Sequence, residues 1–193
     1  MIEGIMKGLI QGVTLVEDSS GSVGRTFAKQ IGSVACSLGK KVILFTTEDK
    51  AEAYESLELN NFNPQISIEE LESLSLYNAS KGYDLLVIDS FSVFLFDKTE
   101  MQIVDIMKSM KELAKNGKCF VLTHESDMFT PRINSYIRSM ADSIAIIRTE
   151  FVGNKINEML QLSKIKGAKP MTKLLKITLE KNGIQIDTRE LIG

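Results

Sequence analysis

Residues Ser19, Ser20, Gly21, Ser22, Val23, Gly24, Arg25 and Thr26 lie between a short β-branched run, Val13 to Val16, and a helical pattern carrying Phe27, Ile31, Val34, Ala35 and Leu38. Their spacing is that of a phosphate-binding loop, G-x-x-x-x-G-K-[ST]. In that motif backbone amides surround the α- and β-phosphates, a lysine meets the β- and γ-phosphates, and a hydroxyl holds Mg²⁺. Here Ser19 stands for the first glycine and Arg25 for the lysine, while Gly24 and Thr26 are retained. A guanidinium is larger and planar and does not reproduce a lysine's compact charge. A serine Cβ also obstructs the close backbone approach that glycine permits. The loop therefore predicts nucleotide binding with weak turnover; the alternative is an ordinary serine- and glycine-rich strand-to-helix turn.

Three further apolar runs end in polar residues that such a site would use. Val42 to Thr47 is followed by Glu48 and Asp49, Leu85 to Ile88 by Asp89, and Cys119 to Thr123 by His124. An aspartate directly after a buried strand can hold Mg²⁺ beside the loop's hydroxyl, which pairs Asp89 with Thr26 as metal ligands. It is equally a residue type that caps helices and builds turns. Glu48 or Asp49 could orient a water or take its proton. His124, the single histidine, sits where a γ-phosphate sensor would sit, or serves as a hydrogen-bonded structural residue.

Positioning these groups requires a sheet whose strands all end on one side. The chain has 193 residues, 44% hydrophobic and 25% charged, with a formal charge of −2. That is the balance of one soluble α/β domain spanning 1–193. No apolar stretch approaches the ~18 residues that span a bilayer, and the N-terminus lacks a signal-peptide pattern, so the expected location is cytoplasmic. Cys36 and Cys119 have no metal-type spacing and read as buried thiols.

Helical patterns are expected over 26–38, 50–60, 68–81, 99–115 and 131–140. Strands are expected over 42–47, 83–90, 119–123 and 143–149, with closing strands near 156–166 and 174–179. Asn60 to Pro64 is turn chemistry. Continuous apolar strands alternating with helices give a mostly parallel central sheet flanked by helices, and the last 50 or so residues add an antiparallel meander. Ligands on such sheets sit at the carboxyl ends of the strands.

The order of the loop, Glu48-Asp49, Leu85-Leu86-Val87-Ile88-Asp89-Ser90 and Phe120-Val121-Leu122-Thr123-His124 resembles the KaiC-like branch of RecA-type P-loop ATPases. Within that branch, the segments Ile137 to Asp142, Val152 to Lys155 and Leu162 to Gly167 are similar to the FlaH group, accessory ATP-binding proteins of the archaeal flagellum (archaellum) motor. Gly183-Ile184-Gln185-Ile186 is similar to that group's last hairpin.

The resemblance implies a RecA-like fold and ATP with Mg²⁺ as ligands. It makes Glu48 the catalytic-type carboxylate and Asp89 the magnesium-side aspartate. Lys164 and Lys166 would be a basic pair approaching a neighbouring subunit's nucleotide, although two lysines at alternate strand positions also suit a solvated edge. A homo-oligomer or ring is implied, with the archaellum motor ATPase or a membrane platform protein as partner. The altered loop and the short N-terminus depart from the family and point away from hydrolysis. The rival readings are a slow working ATPase and a recombinase paralogue acting on DNA; no aromatic, basic platform for bases is visible.

Overall fold

The computed structural model describes residues 2–18, 22–48, 65–67, 71, 75–171, 173–180 and 183–187. The expected helix over 50–60, the turn over 60–64, Ser19, Ser20, Gly21 and Asp49 lie outside them.

The described elements are α1 (Ile2–Leu9), β1 (Val13–Asp18), α2 (Ser22–Ser37), β2 (Val42–Thr46) and β3 (Gln65–Ser67). They continue with α3 (Leu76–Ala79), β4 (Leu85–Ile88), α4 (Phe91–Leu95), α5 (Glu100–Lys115) and β5 (Cys119–His124). The chain closes with α6 (Pro131–Met140), β6 (Ser143–Val152), β7 (Lys155–Lys164), β8 (Leu175–Glu180) and β9 (Gly183–Ile186). One sheet takes all nine strands in the order β3-β2-β4-β5-β1-β6-β7-β8-β9. Pairing is parallel from β3 to β6 and antiparallel from β6 to β9. The mostly parallel sheet with an antiparallel C-terminal meander is as expected.

Apolar strands buried on both faces divide their side chains by alternation. In β4, Leu85 and Val87 join the core under α1 and α2, with Phe27, Ile31, Val121 and Ala145. Leu86 and Ile88 join the opposite core under α4, α5 and α6, with Phe91, Met107, Phe120 and Ile137. Helix α2 crosses from β1 over β5 and β4 towards β2. Its Gln30 is tied to the far edge of the sheet, accepting from the Ile184 N–H at 2.8 Å and donating to the Ile184 carbonyl at 3.2 Å. Gly183, at φ +103, leaves room for that amide, since a Cβ there would lie 2.8 Å from Gln30 Oε1.

Several boundaries differ from the sequence expectation. Helix α2 begins at Ser22, four residues before Thr26, so Gly24, Arg25 and Thr26 belong to its first turns. The expected helix over 68–81 is represented among the described residues by Leu71 and α3, and a short strand, β3, precedes it. Helices α1 and α4 were not expected.

Candidate functional site

The carboxyl ends of β1, β2, β4 and β5 bring Asp18, Glu48, Asp89 and His124 to one edge of the sheet. Helix α2 runs over that edge and presents Arg25 and Lys29, one turn apart on the same face. Asp89 is fully buried, and Lys29 is 2% exposed.

The Lys29 ammonium donates to Glu48 Oε2 and lies 3.7 Å from Asp89 Oδ2. Arg25 Nε is 3.4 Å from Asp89 Oδ1, and its Nη1 is 3.9 Å from Glu48 Oε1. Thr46 Oγ1 completes the net by donating to Asp89 Oδ2 at 3.0 Å while accepting from the Glu48 N–H at 3.0 Å. Two cations and two carboxylates therefore face one another in a water-poor place.

Asp89 is aimed by its backbone. Its N–H donates to the Phe45 carbonyl at 2.8 Å, and the next residue, Ser90, turns the chain into α4 with φ 78 and ψ 40. Ser90 is the one non-glycine residue at positive φ among the described residues, a conformation that costs about 1–2 kcal/mol. It is held there by the Ser90 N–H donating to Thr123 Oγ1 at 2.6 Å. Asp89 Oδ1 has no hydrogen-bond partner among the described residues. Burial pushes the Asp89 carboxyl above its ordinary range, with Glu48 adding to the rise, while Lys29, Arg25 and the Thr46 hydroxyl pull it back.

The start of α2 differs from a free anion seat. Asp18, 6% exposed, accepts from the Gly24 N–H at 2.6 Å. A Cβ on Gly24 would fall 2.6 Å from Asp18 Cβ, so the close approach of the Asp18 side chain requires glycine there. The positive end of the helix thus faces an internal anion. Val23 packs its side chain into the core, and Thr26, half-buried, sits beside Arg25 in the same turn.

His124 is enclosed rather than open. Asn134 donates through Nδ2 to the Ser126 and Phe129 carbonyls at 2.7 and 3.1 Å, which leaves its Oδ1 to accept from His124 Nε2 at 2.8 Å. Ser92 Oγ accepts from the Glu125 N–H at 2.7 Å, so its hydroxyl proton turns to His124 Nδ1 at 3.1 Å. The network assigns a neutral ring protonated at Nε2. Phe129 stacks on it with centroids 5.5 Å apart.

Burial pushes the His124 pKa below its ordinary 6.5. Below that value the unfolded chain takes a proton that the folded ring refuses, so stability is full above pH 6.5 and falls as pH drops towards the lower native value. Urea midpoints compared at about pH 7.5 and about pH 5.5 should show this loss, and His124→Gln should flatten it. An equal slope in both proteins would remove His124 as its source.

Beside His124 in the β1–β5 register stands Glu17, 4% exposed. Arg138 of α6 grips it with both arms, Nε to Oε1 at 2.6 Å and Nη2 to Oε2 at 2.7 Å. Lys164 and Lys166 are at the other end of the sheet. Ile144, at the start of β6, pairs with Lys164. The Lys164 ammonium donates to the Ala141 carbonyl, with the Ser139 carbonyl at 3.4 Å, and so closes the end of α6. Lys166 is exposed, and its Nζ would lie 3.1 Å from a Cβ on Gly12. Within one chain neither lysine joins Glu48 and Asp89.

Lys29, Asp18, Glu17 and Arg138 were not singled out as site residues from the sequence. The signal for Lys29 was its i, i+4 spacing from Arg25, which reads on its own as a solvated helix face. For a divalent cation the fit is poor, because the Asp89 oxygens already face Arg25, Lys29 and Thr46. Among the described residues no three His, Cys, Asp or Glu side chains converge to hold a metal. For an anionic tail the fit is better, through the partly exposed Arg25.

The comparisons agree with the architecture. The FlaH accessory protein of Methanocaldococcus jannaschii superposes with a TM-score of 0.76 at 15% identity, covering 91% of this chain and 89% of that one. A KaiC-like protein of Pyrococcus horikoshii OT3 superposes with a TM-score of 0.68 at 18% identity, again over 91% and 89%. The fold is thus KaiC-like and RecA-type. In sequence, the archaeal flagellar ATP-binding protein FlaH of Sulfolobus acidocaldarius is 27% identical over 107 residues, 55% of this chain; the match spans about half of that protein, 47%. No described helix is long and apolar enough to cross a membrane. A family profile matches residues 46–192, taking in Glu48, Asp89, His124, Lys164 and Lys166 and starting after α2. The chain belongs to the family described as a family of unknown function, DUF7125.

Proposed function

We propose that the chain is a KaiC/FlaH-like nucleotide-binding regulator with little or no ATP hydrolysis, which acts by assembling with partners. The observation that carries this reading is the engagement of Glu48 by Lys29. A carboxylate that must take a proton from water cannot also neutralise a buried ammonium without losing basicity. Every ~1.4 kcal/mol lost at that step slows the reaction tenfold.

Binding is supported by the partly exposed guanidinium of Arg25, a group suited to the phosphates of ATP. The archaellum setting is supported by the two FlaH-named proteins it resembles, and the partners would be further copies of the chain, a motor ATPase or its membrane platform. Lys164 and Lys166, at the sheet end opposite the carboxylates, would serve a neighbour's site in a head-to-tail ring. The whole chain would act as one cytoplasmic domain.

Two measurements test this. Phosphate release should be at background in the wild type, while sedimentation should shift to a larger species when ATP is added. Arg25→Lys alone should not restore turnover, because Lys29 still holds Glu48. Steady phosphate release that disappears in Asp89→Asn would identify a working ATPase and overturn the proposal.

A further inference from the structure

We propose that Lys29 is the resident cation of this site, neutralising Glu48 and Asp89, the aspartate that P-loop ATPases turn to a divalent metal, and that a nucleotide's phosphates are bound here without one. The inference rests on the reading above only in taking these two carboxylates as the nucleotide-facing pair.

Magnesium in P-loop sites is held by the loop hydroxyl and by the aspartate after a central strand. It demands near-octahedral oxygen donors and keeps several waters. Around Asp89 those conditions are absent. Oδ2 accepts from Thr46 and has the Lys29 ammonium at 3.7 Å, while Oδ1 has a guanidinium nitrogen at 3.4 Å. The other carboxylate of the pair, Glu48, is bonded to Lys29.

Charge decides the matter in the same direction. Arg25 and Lys29 balance Glu48 and Asp89, so the cluster is already neutral, and an added divalent ion would meet two cations at close range. Lys29 and Asp89 are almost wholly withdrawn from water, so solvent screens this repulsion little. The unbonded Oδ1 of Asp89 does not change this, since the direction it faces is taken by Arg25.

The arrangement also explains how an anion is tolerated beside two carboxylates. Lys29 offsets one of their charges and Arg25 the other, so the phosphates meet a neutral cluster whose partly exposed cation, Arg25, faces them. Lys29 thereby acts through Glu48 and Asp89 as a positioning residue, one helical turn beyond the place where the motif puts its lysine.

The metal half is tested with Mn²⁺ alone, followed by electron paramagnetic resonance. Wild-type protein should leave the free Mn²⁺ signal unchanged. Lys29→Gln should bind the ion, and Lys29→Gln/Asp89→Asn should lose it again. Mn²⁺ bound by the wild type and lost in Asp89→Asn would overturn the proposal, as would a folded Lys29→Gln protein that gains no ion.

The nucleotide half is tested by calorimetry with ATP in EDTA and in Mg²⁺, which also decides the question should Lys29→Gln fail to fold. The two affinities should agree within about twofold, and a loss above about tenfold in EDTA would overturn the proposal. Absence of ATP binding in both buffers would count against the function proposed above, and the wild-type Mn²⁺ result would then decide this one.

Discussion

Replacing Lys29 by methionine is expected to lower folding stability by about 3–5 kcal/mol at neutral pH, the range seen when one partner of a buried ion pair is removed. The loss comes less from the missing attraction than from what remains. Asp89 has no exposed surface, and the cation left beside it, Arg25, approaches at 3.4 Å from a position 27% open to solvent, where water screens the attraction. The exposed pair Arg132–Glu100, 3.9 Å apart at 86% and 52% exposure, should by contrast contribute no more than ~1 kcal/mol.

A double-mutant cycle separates the two halves of the argument. Asp89→Asn in the Lys29→Met background should recover much of the loss, since the neutral amide no longer requires a counter-charge. Guanidinium denaturation of the four proteins gives the coupling energy. Additive effects would show that the lysine and the aspartate do not depend on each other and that Lys29 is not the counter-charge of Asp89.

The sheet was legible because its strands are buried on both faces. Runs such as Leu85 to Ile88 need no partner to be recognised, and their turn residues mark where they stop. Helix α4 was not legible for a related reason. Phe91 to Leu95 continues the same apolar character past Asp89, and only the left-handed turn at Ser90 separates strand from helix. The three-residue β3 carries no apolar run at all and takes its conformation from pairing with β2. In α1, Met6 and Leu9 are buried, but eight residues are too few for periodicity to stand out.

The candidate site divides in the same way. Glu48, Asp89 and His124 could be named because each directly follows or ends an apolar strand. Asp18 and Lys29 could not, because their roles depend on where α2 crosses the sheet. Strand order places the ends of β2 and β4 beneath α2, and this turns Lys29 from a surface residue into the most buried cation of the cluster. Thr26, Gly24 and Arg25 shift in meaning too, since the helix starts at Ser22 and carries them inside its first turns.

Asp18→Asn should tighten the binding of ATP by about tenfold or more, corresponding to ~1.4 kcal/mol. The Gly24 amide that a phosphate would use is taken by the Asp18 carboxylate at 2.6 Å, and a phosphate arriving there meets a buried like charge. An asparagine oxygen can accept from the same amide, so the helix end stays satisfied while the repulsion disappears. Asp18→Ala distinguishes charge from capping. It removes the same repulsion, and it also leaves the amide without its partner, at a stability loss of about 0.5–2 kcal/mol that Asp18→Asn should not show. Calorimetric titration of the three proteins with ATP reads the first effect, and thermal unfolding without ligand reads the second. Equal affinities in three folded proteins would mean that phosphates do not use the start of α2, which would leave Arg25 as the anion contact and place the nucleotide nearer to β2 and β4 than a P-loop requires.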